Sequence, residues 1–190
     1  MKKLTKVHRI NFLAGICYAL LIGLISGCTP IEPRSDLPAA TQTGSYTMGC
    51  YIDGQRWTPV SNDFKSGSIT ARYLATQQTL LIGGGNDNKS QYLLVSLSKY
   101  TGQIGTYKLD SLCDDLPRVC ANTGSYDTSP AFSFKNSYWT DYQHLGTVTI
   151  TKHTSSFVSG TFEFEARHRV TGKIVRITSG RFDTPYITYL

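Results

Sequence analysis

The chain has 190 residues with a formal net charge of +6, 40% hydrophobic and 17% charged. Four of its 19 basic residues precede an apolar stretch near the N terminus, and without residues 1–27 the balance falls to 15 basic against 13 acidic over 163 residues. Such a near-neutral chain excludes a strongly basic nucleic-acid-binding surface, and its length suits one domain that buries roughly two-thirds of its unfolded surface.

Residues 1–27 have the pattern of a signal peptide. Lys2, Lys3, Lys6 and Arg9 come first, and then an apolar run from Ile10 to Ile25 broken only by Asn11 and two glycines. The run is about 16 residues, against the roughly 20 that a spanning helix needs. It ends in Leu24-Ile25-Ser26-Gly27-Cys28, which resembles the lipobox of bacterial lipoproteins. The resemblance implies cleavage before Cys28 and fatty acyl chains, palmitate among them, on that cysteine. One acyl chain anchors only marginally, whereas two or three hold a protein stably on a membrane. Thr29 stands where an aspartate is associated with inner-membrane retention, so the expected address is the outer membrane.

Residues 28–43 contain Pro30, Pro33 and Pro38 and little apolar surface, which predicts an extended linker, with Leu37–Ala40 as the part that could pack on the domain. From there to residue 190 a single β-domain is predicted, because apolar residues alternate with polar ones at period two and almost nowhere at helical spacing. Strands are expected near 46–53, 69–73, 78–83, 93–97, 105–109, 131–137, 147–151, 158–167 and 173–183. Asp53-Gly54 marks a tight hairpin, since such turns need positive φ. Gly83-Gly84-Gly85-Asn86-Asp87-Asn88 reads as a flexible hairpin turn between strands ending at Ile82 and starting at Tyr92. Val175 and Ile177 share a parity that Phe182 lacks, so a β-bulge is predicted at Ser179-Gly180. The fold class is therefore all-β, an antiparallel sandwich of about nine strands, with a closed lipocalin-like barrel as the alternative.

Cys50, Cys113 and Cys120 remain after the signal and the lipidated cysteine are set aside. The expected disulfide is Cys113–Cys120, which closes a short loop; Cys50 with either partner, or no bridge, are the alternatives. Cys50 shares a strand face with Tyr46, Met48 and Ile52 and suits a small buried hydrophobe.

The stretch Asp110–Pro130 lacks a pattern and reads as a long loop. Its Asp110, Asp114, Asp115 and Asp127 match no calcium-loop spacing, and no metal site is predicted. Tyr138, Trp139 and Tyr142 form the candidate ligand platform, as aromatic faces stack on sugar rings; the competing role is a half-buried core edge. No catalytic residue is identified. His144, His153 and His168 lack metal spacing, no nucleophile elbow or phosphate loop occurs, and Glu163 and Glu165, about 7 Å apart on one strand face, sit on an alternating solvated pattern. No cofactor is expected.

Leu37–Gly44, Gly49-Cys50 and Gly54-x-x-Trp57, together with Gly146–Lys152, Val158–Phe164 and Ile177–Asp183, resemble an uncharacterised family of small lipoproteins of Bacteroidota-type bacteria. The resemblance frames residues 37–186 and implies lipid attachment, an envelope address and a β fold, with Trp57 as a core anchor. The resulting expectation is a non-enzymatic domain that meets the membrane through its lipid and binds a glycan or an envelope protein, with a structural envelope component as the alternative.

Overall fold

The computed structural model describes residues 36–60, 69–111, 121–129 and 135–189. They fall in one compact unit, Ser35–Leu190, whose described part is almost entirely β. The strands are β1 (Thr47–Ile52), β2 (Gln55–Trp57), β3 (Ile69–Leu74), β4 (Thr79–Asn86), β5 (Gln91–Leu97) and β6 (Gly105–Leu109). After these come β7 (Thr123–Asp127), β8 (Ser137–Trp139), β9 (Gly146–His153), β10 (Phe157–His168) and β11 (Ile174–Tyr189).

One hydrogen-bonded ladder joins them in the order β2-β1-β11-β3-β4-β5-β7-β8-β10-β9-β6, with β10 also paired to β11. The path β11-β3-β4-β5-β7-β8-β10 therefore returns to β11 and closes on itself. Sandwich and barrel meet in this arrangement: β10 and β11 run along one layer and hand over at their ends to β8 and β3 of the other. All described pairings between strands are antiparallel except β3 with the end of β11.

Period-two patterning sets which side chains go inside. Val158, Phe162, Phe164 and Ala166 of β10 meet Leu80, Ile82, Leu93 and Val95 of the opposite layer in one buried cluster, with Trp57 2% exposed among them. Each such apolar side chain contributes about 1.5–3 kcal/mol on burial. Cys50 belongs to this cluster as a free, buried thiol, and burial pushes its pKa up to about 12. Cys113 and Cys120, and with them the expected disulfide, lie outside the described residues.

The β1–β2 hairpin turns on Asp53 (φ 48) and Gly54 (φ 77), the pair of positive values that a type I′ turn requires. The bulge is present on β11. Ile177 pairs with Phe164 and Gly180 with Phe162, so Thr178 and Ser179 together stand opposite Glu163, and β1 shows the same slip. Ser179 takes φ 52, and both it and Thr178 face outward while Ile177, Gly180 and Phe182 stay inside.

Several expectations are corrected. The glycines 83–85 are not a turn: β4 continues to Asn86, the reversal is the 3₁₀ turn Asp87–Lys89, and the Tyr92 ring covers Gly85 where a Cβ would sit 2.7 Å away. The stretch Asp110–Pro130 is not all loop, because β7 lies within it. Of the strand expected at 131–137, residues 131–134 lie outside the described residues and 135–136 form a turn; the strand observed, β8, begins at Ser137 and shares only that residue with it. The linker ends sooner than expected: residues 36–45 pack along the outer surface of β1 and β11, with Leu37 6% exposed and both Leu37 and Pro38 against Gly49.

Candidate functional site

Residues 36–45 are pinned as a strap by one carboxylate. Asp183 is fully buried beneath them and accepts hydrogen bonds from Thr41 Oγ1 (2.7 Å), Thr43 N (3.1 Å), Gly44 N (3.0 Å), Ser45 N (2.8 Å) and Ser159 Oγ (2.7 Å). Burial pushes its pKa up, but donors led by Ser45 N–H, Ser159, Thr41 and Thr43 outweigh burial and hold it at about 2. Arg181 Nη1 donates to Pro38 O at 3.3 Å, which fixes the strap's middle.

Beside the strap, the outer face of β6, β9, β10 and β11 carries a trough made of two adjoining recesses. The first, about 400 Å³, is lined by Lys108, Asp110, Leu145, Thr147, Glu163, Glu165, Arg176 and Thr178 among others. The second, about 470 Å³, is lined by Thr147, Thr149, Thr161, Glu163, Ser179 and Arg181, with Ala40 of the strap as a wall. Both volumes fall in the range of about 300–1,000 Å³ common to small-molecule sites. Thr147 and Glu163 belong to both recesses.

Register explains the lining. Lys108, Thr147 and Glu163 form one cross-strand row, and Thr106, Thr149, Thr161 and Arg181 form the next. Outward hydroxyls thus line up across three strands and end at Arg181 on the fourth, and Thr106 and Thr149 share a hydrogen bond at 2.9 Å. Because of the bulge, two consecutive hydroxyl side chains, Thr178 and Ser179, face this surface where a regular strand would offer one.

The charges in the trough fall into two kinds. Glu165 accepts from Arg176 Nε at 2.7 Å, and that contact raises the pKa of Arg176. Arg181 is held by Pro38 O and by Ser179 O. Lys108 and Glu163, by contrast, make no hydrogen bond or ion pair among the described residues. Adjacent strands are about 4.8 Å apart, so their backbones stand roughly 10 Å from each other with Thr147 between.

The sequence-predicted platform is not assembled. Tyr138 and Trp139 are neighbours on β8 and so point to opposite faces; Trp139 is 5% exposed, and its ring has no free face to stack on a sugar. Tyr138 packs edge-on against His168 at 5.1 Å and beside Tyr126 at 5.8 Å, the core-edge role, while Tyr142 stands 78% exposed in the following loop. Glu163 and Glu165 do share the outer face, with Glu165 ion-paired. Of the acidic residues in 110–130, Asp110 lines the first recess and Asp127 is buried and bonded to Ser129 and Ser137; Asp114 and Asp115 lie outside the described residues.

The histidines are separately committed. His144 Nδ1 lies 2.8 Å from Asp141, and His153 Nδ1 lies 3.0 Å from Gly102 O. His168 Nδ1 accepts from the amides of Val170 and Thr171, leaving Nε2 to donate to Asn136 Oδ1. Asp141 is buried; burial raises its pKa, while the Gln143 amide, the His144 ring and amide, and Arg167 lower it to about 2. No group of metal-ligating side chains gathers among the described residues.

Residues 60–184 match the model of a family described as a domain of unknown function (DUF6252). The chain belongs to this family. No curated protein and no solved structure matches. The DUF6252 region contains the outer face of β6, β9, β10 and β11 and the bulge, whereas the strap wall and β1 precede it. Neither the strap nor the trough was signalled by a motif. A sequence clue existed in the row of threonines facing outward on β9 and in the parity slip of β11.

Proposed function

We propose that this DUF6252 protein is a lipid-anchored envelope protein of the Bacteroidota lipoprotein type, held at the outer membrane through Cys28, and that its domain binds a glycan without catalysis. The observation that carries the binding assignment is the row Lys108, Thr147, Glu163. It places two opposite charges, neither of them bonded or ion-paired among the described residues, on either side of a hydroxyl, inside a recess of about 400 Å³. Such charges and aligned hydroxyls suit a polar, many-hydroxyl ligand, which exchanges its water contacts for fixed donors and acceptors. The non-catalytic reading is supported by Glu165, whose carboxylate is taken up by Arg176 rather than converging with Glu163.

Anchoring is tested by mass spectrometry of the native protein, expected to show residues 1–27 removed and acyl chains on Cys28. Binding is tested by glycan array followed by calorimetry on the wild type, Glu163→Gln and Lys108→Met. A hit weakened at least tenfold by each substitution is expected, whereas no retained glycan, or a hit indifferent to both, overturns the assignment of the trough.

A further inference from the structure

The strap changes how far the domain can sit from its anchor. Only eight peptide units separate Cys28 from Asp36, where the described residues begin, a reach of at most about 29 Å. Asp36 lies level with Tyr51 and Arg56, bonded to both, and the strap runs from there toward Asp183, so the chain enters the domain from the end that carries the β1–β2 and β10–β11 turns. That same end shows the apolar side chains Val170 (87% exposed), Tyr142 (78%), Leu145 (53%) and Ile174 (48%). They flank the end of β10: Ile174 pairs with Arg167, Leu145 O accepts from Glu165 N, and the loop holding Tyr142 is tied to Arg167 through Asp141. From Arg167 to Lys173 the hairpin has three cations and no carboxylate. Among nearby carboxylates, Asp141 is engaged by Arg167, Glu165 by Arg176 and Asp36 by Arg56, and Asp53 accepts the Arg176 amide, while Asp110 beside Leu145 accepts the Ser111 hydroxyl.

We propose that this end, with Val170 at the tip of the β10–β11 hairpin, docks on the anionic surface of the bilayer that holds the lipid. The inference rests on the anchoring proposed above. A tether this short gives the face an effective concentration near the membrane of order millimolar, so weak apolar insertion and one or two cation–headgroup contacts suffice. Docking would turn the trough's long axis across the membrane plane and leave its strap end outermost.

Both described tryptophans, Trp57 and Trp139, are buried, so the wild type supplies the blank for a quenching experiment on Val170→Trp in the acylated full protein. The protein is reconstituted in vesicles of brominated phosphatidylcholine with one-third phosphatidylglycerol and assayed for co-flotation and fluorescence quenching. Expected are co-flotation of both chains and quenching specific to Val170→Trp, most of it lost with Lys173→Glu or in vesicles without phosphatidylglycerol. Co-flotation without that quenching overturns docking while the anchor stands. Failure to co-float overturns the anchor and docking together. Loss of quenching accompanied by a dimer in sedimentation velocity gives the face to a second copy of the chain and also overturns the proposal.

Discussion

Substituting Asp183 by Asn tests the central claim about the strap. The carboxylate accepts five hydrogen bonds, three on Oδ2 from Thr41, Thr43 and Ser45 and two on Oδ1 from Gly44 and Ser159. An amide keeps one acceptor oxygen and turns an NH₂ toward the rest. Placed at the Oδ1 position, the NH₂ confronts the Gly44 amide, and the Ser159 hydroxyl can rotate to accept; placed at Oδ2, it confronts two amides. The first orientation wins, with one donor–donor clash and four weakened bonds. The shift from the ordinary value of 3.8 to about 2 gives an independent scale, since it makes the charged form worth about 2 kcal/mol more than the neutral one. Adding the clash, Asp183→Asn should cost about 3 kcal/mol at pH 7, and Asp183→Ala about 3–5 kcal/mol. Urea unfolding measures the loss, and hydrogen exchange at Thr43, Gly44 and Ser45 reports whether the strap opens first. The pH dependence fixes the sign. A depressed folded pKa stabilises above about pH 4 and the contribution disappears as pH falls toward 2, so the gap between wild type and Asp183→Asn should narrow there. A cost under 0.5 kcal/mol at pH 7, or a gap unchanged at pH 2, would refute the reasoning.

Tyr100→Phe should be neutral or stabilise by up to about 1 kcal/mol in thermal unfolding, because the buried hydroxyl finds no hydrogen-bond partner among the described residues. Cys50 should resist thiol reagents at pH 8 until the domain unfolds, its thiol being both covered and pushed up to about 12. Ser179→Val should destabilise by about 1–2 kcal/mol, since a β-branched residue tolerates φ 52 poorly, with calorimetric melting as the check. A double-mutant cycle on Glu165 and Arg176 in urea unfolding should return a coupling indistinguishable from zero, as both side chains are well exposed and solvent screens the pair.

Where apolar alternation exists, the sequence is readable. β6 and β10 fall on their expected residues, and the bulge follows from one break in parity because the inward residues flanking it, Val175, Ile177 and Phe182, are apolar. β7 escaped because Thr123, Gly124, Ser125 and Asp127 are buried without being apolar: Gly124 lies under the Phe164 ring, and Asp127 is satisfied by Ser129 and Ser137. Likewise Gly83–Gly85 sit in a strand since neighbouring side chains, Tyr92 above all, fill the space they leave. The strap reads as linker in composition, and what orders it is an aspartate about 140 positions away. Closure of the ladder depends on pairings between distant strands, which local pattern does not encode. The trough combined both problems, since its lining residues are an unremarkable solvated pattern until register and the bulge bring them together.

Strand β11 has a consequence for the order of assembly. It pairs with β1, β3 and β10, so strands far earlier in the chain complete their ladders only once β11 is in place. Most native contacts join residues far apart in the sequence, which slows folding relative to a helical domain of the same size. Without Tyr186–Tyr189, β3 would lose its pairing with β11, and the ring of strands that β11 closes would open.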